Sequence, residues 1–215
     1  MREPVRAEKA RYEAEQARRE RICDAAFTVL MEQGYAGAST LEIATRAKVS
    51  KRELYALFAN KLGILTAMVV ERTKRMRLSI QSRSVVDCES LAAALVSFGS
   101  ETLRTVSHPG PMALYRLAVA EAERSPEMAA LLERAGRQAA REALVDLLSD
   151  AQARGILGSG DPMEMARRFL ALLWGDRFTR LLLKTAPAPR LAEIRAAARA
   201  ATDALLKLYP PRTRV

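Results

Sequence analysis

The chain has 215 residues, 49% of them apolar, enough to bury a real core, so intrinsic disorder is not expected. Its formal net charge is +10 with a pI near 10.1, which suits an anionic partner. Two cysteines, Cys23 and Cys88, form no CxxC pair, and no apolar run reaches the ~20 residues a membrane-spanning helix requires. Met1-Arg2-Glu3-Pro4 leads into charged sequence without a signal-peptide pattern, so a soluble, cytoplasmic protein is expected.

Residues 1–20 form a charged arm or helix extension. Residues 5–20 hold strong helix formers with no apolar stripe, and read as a solvated extension of the first helix or as a mobile arm. Amphipathic spacing starts at Ile22 and continues through Ala25, Ala26, Val29 and Leu30, with Gly34 ending the helix. Ser39 with Glu42 is a capping box that opens a short helix at Thr40, whose apolar positions are Leu41, Ile43, Ala44 and Ala47. Ser50 with Glu53 is a second capping box, opening a helix with apolar Leu54 and Leu57/Phe58. Only Lys48 and Val49 lie between the first of these helices and the second cap. Two short helices joined so tightly make a helix-turn-helix, whose second helix can enter a DNA major groove. The exposed face of that helix offers Lys51, Arg52 and Tyr55. The charge excess is denser here: residues 1–80 hold 16 Lys+Arg against 10 Asp+Glu, and the rest 19 against 15.

Asn60-Lys61 opens a helix carrying Leu62, Leu65, Met68, Val69 and Met76. Further helices are expected at 87–107, 111–124, 126–154, 162–184 and 189–208. Pro109-Gly110-Pro111, Ser125-Pro126, Gly155 with Gly158-Ser159-Gly160 and Asp161-Pro162, and Pro187-Ala188-Pro189 mark the breaks. No alternating β-run occurs, so the fold class is all-α with about nine helices. Gly158-x-Gly160 follows a helix, lacks a Lys, and reads as a connector rather than a phosphate loop. His108 is the single histidine and has no ligand-spaced partner, so no metal site or cofactor is expected. Convergent titratable groups are missing too, which argues against an enzyme.

The run Arg21-Ile22, Ala25-Ala26, Gly34-Tyr35, Ser39, Ile43-Ala44, Ala47, Val49-Ser50-Lys51, Leu54-Tyr55, Phe58, Lys61 and Leu65 resembles the DNA-binding domain of the TetR (tetracycline-repressor) family of bacterial transcription regulators. Ala120-Glu121-Ala122-Glu123-Arg124-Ser125-Pro126 and Gly155-Ile156-Leu157 resemble AefR-like C-terminal domains, less specifically. The resemblance implies a helix-turn-helix domain at 21–65, a ligand-binding and dimerisation domain at 66–209, and a tail at 210–215. It implies a dimeric regulator, most simply a repressor, that leaves a palindromic double-stranded DNA operator when a small, largely apolar effector binds. The competing reading is an effector-independent architectural or nucleoid DNA-binding protein, which an internal pocket would disfavour.

On the family pattern, Thr40 and Tyr55 grip phosphates and Lys61 meets the DNA backbone. Lys48 replaces the usual turn glycine and puts a cation at the DNA-facing rim. Ser50 caps, and Lys51 and Arg52 are the candidates for base edges. Glu53 either caps or accepts from cytosine, and capping is favoured. The helix at 162–184 is apolar on more than one face, which suggests one side for the core and one for a partner subunit. With the last helix it gives Phe169, Leu173, Leu191, Ile194, Ala198, Ala201 and Leu205 as the expected homodimer interface. Phe98, Thr102, Met112, Tyr115, Leu132, Trp174 and Phe178 are the candidates for an effector cavity, with Arg116 and Arg168 available to a neutral or anionic ligand.

Overall fold

The computed structural model describes the backbone of residues 3–81 and 85–211, and the side chains of residues 8–74, 78 and 85–211. The Met76 side chain, and residues 1, 2 and 212–215 of the two expected terminal segments, lie outside that description. Eleven α-helices are present among the described residues, and no strand. They are α1 (Glu3–Gly37), α2 (Thr40–Ala47), α3 (Lys51–Phe58), α4 (Lys61–Gln81), α5 (Cys88–Val106), α6 (Pro109–Ala120), α7 (Pro126–Leu131), α8 (Ala139–Ala153), α9 (Pro162–Trp174), α10 (Arg177–Leu182) and α11 (Leu191–Leu208). A π-helical turn, Leu132–Gln138, lies between α7 and α8.

Two differences separate eleven helices from the expected nine. The helix anticipated at 126–154 is one helical run interrupted by the π-helical turn. The helix anticipated at 162–184 breaks at Gly175 (φ 50°, ψ −129°) into α9 and α10. Its apolar pattern runs straight across the glycine, so periodicity alone carries no sign of the break. Residues 3–20 resolve as a helical extension of α1 rather than a separate arm.

The chain forms two compact units, 1–69 with 117–129, and 70–116 with 130–215. The sequence division at 65/66 compares with a change of unit after residue 69, and residues 117–129 group with the N-terminal unit. In the first unit Ile22, Ala26, Val29, Leu30, Ile43, Ala44, Ala47, Leu54, Phe58, Ile64 and Leu65 are buried. Leu41, expected to face inward, is 61% exposed. It lies two residues before Ile43, about 200° round the helix, and so opposite the buried face.

In the second unit α5, α8, α9 and α11 share one core, including Leu95, Phe98, Leu144, Leu148, Met165 and Phe169. This corrects the dimer assignment. Phe169, Leu173, Ala198 and Leu205 are fully buried in that core, with Ile194 and Ala201 all but buried; only Leu191 is exposed. A wide apolar arc has an inner and an outer part, and these six residues occupy the inner one. The apolar residues that α9–α11 leave exposed are Ala171, Leu172, Leu191, Ala192, Ala196, Ala200 and Leu208, with Leu183 just after α10.

Gly158 to Gly160 is a connector, as expected, tied down by the Gln152 amide donating to the Gly158 and Gly160 carbonyls. Among the described residues neither cysteine forms a disulfide; Cys23 is half-buried and Cys88 exposed. The exposed His108 accepts through Nδ1 from the Gly110 amide at 3.4 Å. Among the described residues no three His, Cys, Asp or Glu side chains gather into a metal site, and no single helix is long and apolar enough to cross a membrane.

Candidate functional site

The helix-turn-helix is built from local signals. Ser39 Oγ accepts from the Glu42 amide at 3.1 Å and starts α2, but Glu42 turns to Arg46 instead of completing the capping box. α2 ends with Lys48 in the left-handed conformation (φ 54°, ψ 48°). The Val49 amide reaches Ala44 O at 3.0 Å and the Lys48 amide Thr45 O at 3.2 Å, the Schellman pattern. A non-glycine residue there costs roughly 1 kcal/mol. It leaves the Lys48 side chain exposed at the turn.

Ser50 and Glu53 form the full capping box of α3: Ser50 Oγ accepts from the Glu53 amide at 3.1 Å, and the Glu53 carboxylate accepts from the Ser50 amide at 2.8 Å. The bonds that the Ser50 amide and hydroxyl donate to the Glu53 carboxylate, and then the charges of Arg18 and Arg21, hold the carboxyl below the ordinary carboxylate range. Glu53 also pairs with Arg18 at 3.3 Å, so it caps and braces rather than facing outward as an acceptor. Arg19 lies over the Phe58 ring at 5.1 Å. The α1 extension thus buttresses α3, a contact that the mixed charges of 18–21 did not disclose.

The remaining carboxylates near this face are also engaged: Glu42 and Glu32 both pair with Arg46 at 2.7 Å. Lys48, Lys51 and Arg52, by contrast, are exposed and make no ion pair among the described residues. Lys51 Nζ lies 5.7 Å above the Tyr55 ring, and the Tyr55 hydroxyl meets Thr40 Oγ1 at 3.0 Å. The structure therefore brings Thr40 of α2 and Lys51 and Tyr55 of α3 to one place, with Arg52 beside Lys51 in sequence.

Lys61, expected to meet the DNA backbone, has its ammonium engaged within the chain: it donates to the carbonyls of Tyr35 and Ala38 (2.9 Å to the latter) and sits 4.2 Å from the Tyr35 ring centroid. These bonds close the end of α1. Burial lowers the Lys61 pKa, opposed by the nearby charges of Glu121 and Glu127. Opposite it, the Glu121 carboxylate accepts from the Tyr35 amide at 2.8 Å and the Ala36 amide at 3.2 Å. Gly34, at φ 73° and ψ 175°, makes room for that carboxylate. An anion and a cation thus both hold residues 35–38, a feature invisible in sequence because Glu121 lies 86 residues from Tyr35.

The second unit contains a cavity of about 600 Å³, lined in part by Thr102, Tyr115, Trp174 and Phe178. Its volume lies within the ~300–1,000 Å³ typical of small-molecule sites. Phe178 meets Tyr115 and Trp174 edge to face, with centroids 5.2 Å and 5.4 Å apart. Burial raises the Tyr115 phenol pKa. Phe98, Met112 and Leu132 do not line the cavity; all three are buried in packing. The basic groups on its wall are Arg137, Arg141 and Arg167, while Arg116 donates to Leu181 O and Arg168 to the Tyr209 hydroxyl. The π-helical turn supplies Gly136 and Arg137 to the wall; Thr73 Oγ1 satisfies the Ala135 carbonyl at 2.8 Å.

Two family models match the chain. Residues 22–68 match the family described as bacterial regulatory proteins, tetR family. Residues 93–211 match the AefR-like transcriptional repressor C-terminal domain. The uncharacterized HTH-type transcriptional regulator YvkB of Bacillus subtilis (strain 168) is 27% identical over 171 residues, covering 76% of this chain and 82% of that protein. A TetR transcriptional regulator from Agrobacterium tumefaciens superposes with a TM-score of 0.72 at 29% identity, over 90% of this chain and 95% of that one. The flavonoid-responsive regulator FrrA superposes at 0.70 and 28% identity, over 92% and 100%. The chain belongs to the TetR family of bacterial transcription regulators, with an AefR-like C-terminal domain.

Proposed function

We propose that this regulator is a homodimeric repressor that binds a palindromic operator and is released by a small, largely apolar effector. The observation that carries the DNA reading is the set of exposed cations Lys48, Lys51 and Arg52, without an ion pair among the described residues, on a capped helix-turn-helix whose carboxylates Glu32, Glu42 and Glu53 are engaged. Arg52 and Lys51 read base edges; a bidentate Arg–guanine pair is worth about 1–3 kcal/mol of discrimination. Lys48, Thr40 and Tyr55 hold phosphates, the two hydroxyls acting as one paired donor site. Ser50 serves by capping α3.

A palindrome needs two recognition helices about 34–36 Å apart, which two copies of the chain supply. The exposed apolar residues Leu172, Leu183, Leu191 and Ala196 support a dimer through the outer face of α9–α11. The cavity favours an effector-responsive protein over an architectural one, and FrrA, by its name, responds to flavonoids. α4 contributes residues to both units, so a ligand that binds two α4 arrangements unequally changes operator affinity. Such coupling is typically ~1–3 kcal/mol, about 5–150-fold. Genome-wide DNA pull-down followed by titration on the recovered sequence tests the reading. A discrete palindromic sequence preferred over scrambled DNA is expected; uniform binding to all sequences contradicts it and favours the architectural protein.

A further inference from the structure

The cavity of the second unit has walls of two chemistries. One side is aromatic, formed by Tyr115, Phe178 and Trp174. The other carries Arg137, Arg141 and Arg167. Three guanidiniums there meet only two carboxylates. Glu133 is shared between Arg137 and Arg141, at 3.4 Å to each, and Glu164 pairs with Arg167. Neither carboxylate lines the cavity. Among the described residues, one positive charge on the wall is therefore left without an ion-pair partner. Arg141 is the most enclosed of the three, with a side chain 22% exposed against 63% and 58% for Arg137 and Arg167. Its charge is the least screened by solvent.

We infer that the ligand of this cavity is an aromatic monoanion: a flat ring body against Tyr115, Trp174 and Phe178, and one carboxylate-like group on Arg141. The inference rests on reading the cavity as the effector site and adds its ligand class. A cation would face three guanidiniums. A dianion would exceed the single free charge.

The test uses three isosteric probes, 2-naphthoate, 2-naphthamide and 2-naphthylmethylammonium, titrated calorimetrically into the full-length protein. 2-Naphthoate should bind about tenfold or more tighter than 2-naphthamide, the value of one charge-assisted hydrogen bond. The ammonium probe should bind more weakly than both. Arg141→Gln should remove the preference for naphthoate while leaving naphthamide affinity unchanged, and Arg141→Lys should restore part of it. Equal binding of naphthoate and naphthamide, or a preference that survives Arg141→Gln, overturns the anionic assignment. Failure of all three probes to bind overturns the aromatic one. Operator release is scored separately: an anion-selective cavity whose occupancy leaves operator affinity unchanged refutes the effector reading and spares the ligand class.

Discussion

Substituting Gly34 by alanine should cost far more than the loss of one glycine, and for a reason that a thermodynamic cycle can isolate. At φ 73° and ψ 175° the backbone occupies a region essentially restricted to glycine, where any other residue costs about 1–3 kcal/mol. The new Cβ would also stand 2.6 Å from Glu121 Oε1, so the carboxylate must withdraw. That oxygen accepts from the Tyr35 amide at 2.8 Å, and its twin from the Ala36 amide at 3.2 Å. The first bond is partly buried and the second exposed, so together they contribute about 2 kcal/mol. Gly34→Ala should therefore cost about 4 kcal/mol, Glu121→Ala about 2, and the double variant again about 4, because the same bonds are lost only once. The coupling energy is then about 2 kcal/mol. Urea unfolding followed by far-UV circular dichroism, at one protein concentration, measures all four corners. Additive costs, with coupling below about 0.5 kcal/mol, would refute the claim that Gly34 exists to admit the Glu121 carboxylate.

Lys61→Met should lower stability through the exposed carbonyls of Tyr35 and Ala38, and leave the salt slope of operator binding unchanged; a slope reduced by about one unit would return Lys61 to the phosphate contacts. Leu172→Glu with Ala196→Glu should yield folded monomers by light scattering, whereas Leu173→Glu should unfold the second unit; folded, monomeric Leu173→Glu would reverse the assignment of core and interface. Glu53 has a depressed folded-state pKa, so the stability it confers is complete above the ordinary glutamate value of about 4.3 and is lost as pH falls through the lower folded value. Glu53→Gln should flatten that part of the acid limb of a melting-temperature profile, and an unchanged limb would show that the cap bonds do not persist in solution.

The parts of this structure legible in the sequence are those written locally. Ser50–Glu53 is an i, i+3 signal, and the left-handed turn at Lys48 follows from two residues separating a helix from a cap. What stayed hidden depends on partners distant in the chain. The Glu121 carboxylate reaches Tyr35 across 86 positions. Arg116 and Arg168 were plausible cavity cations until α8 and the π-helical turn brought Arg137 and Arg141 there instead. Leu173 and Ala201 sit on strongly apolar helices, but a pattern with a broad apolar arc does not say which edge meets the chain's own core. The break at Gly175 escapes notice for the same reason, since Trp174 and Phe178 keep the helical spacing across it.

The most direct test of the account is the salt-dependent titration of Arg52→Ala on operator and scrambled duplexes, the operator being the palindrome recovered by DNA pull-down. The chain's own reading of Arg52 as a base contact predicts a loss of about 1–3 kcal/mol on the operator, relaxed preference at one base pair per half-site, and little change on scrambled DNA. Equal loss on both duplexes, with a shallower salt slope, would contradict it and make the exposed cations of α3 a phosphate clamp without sequence readout.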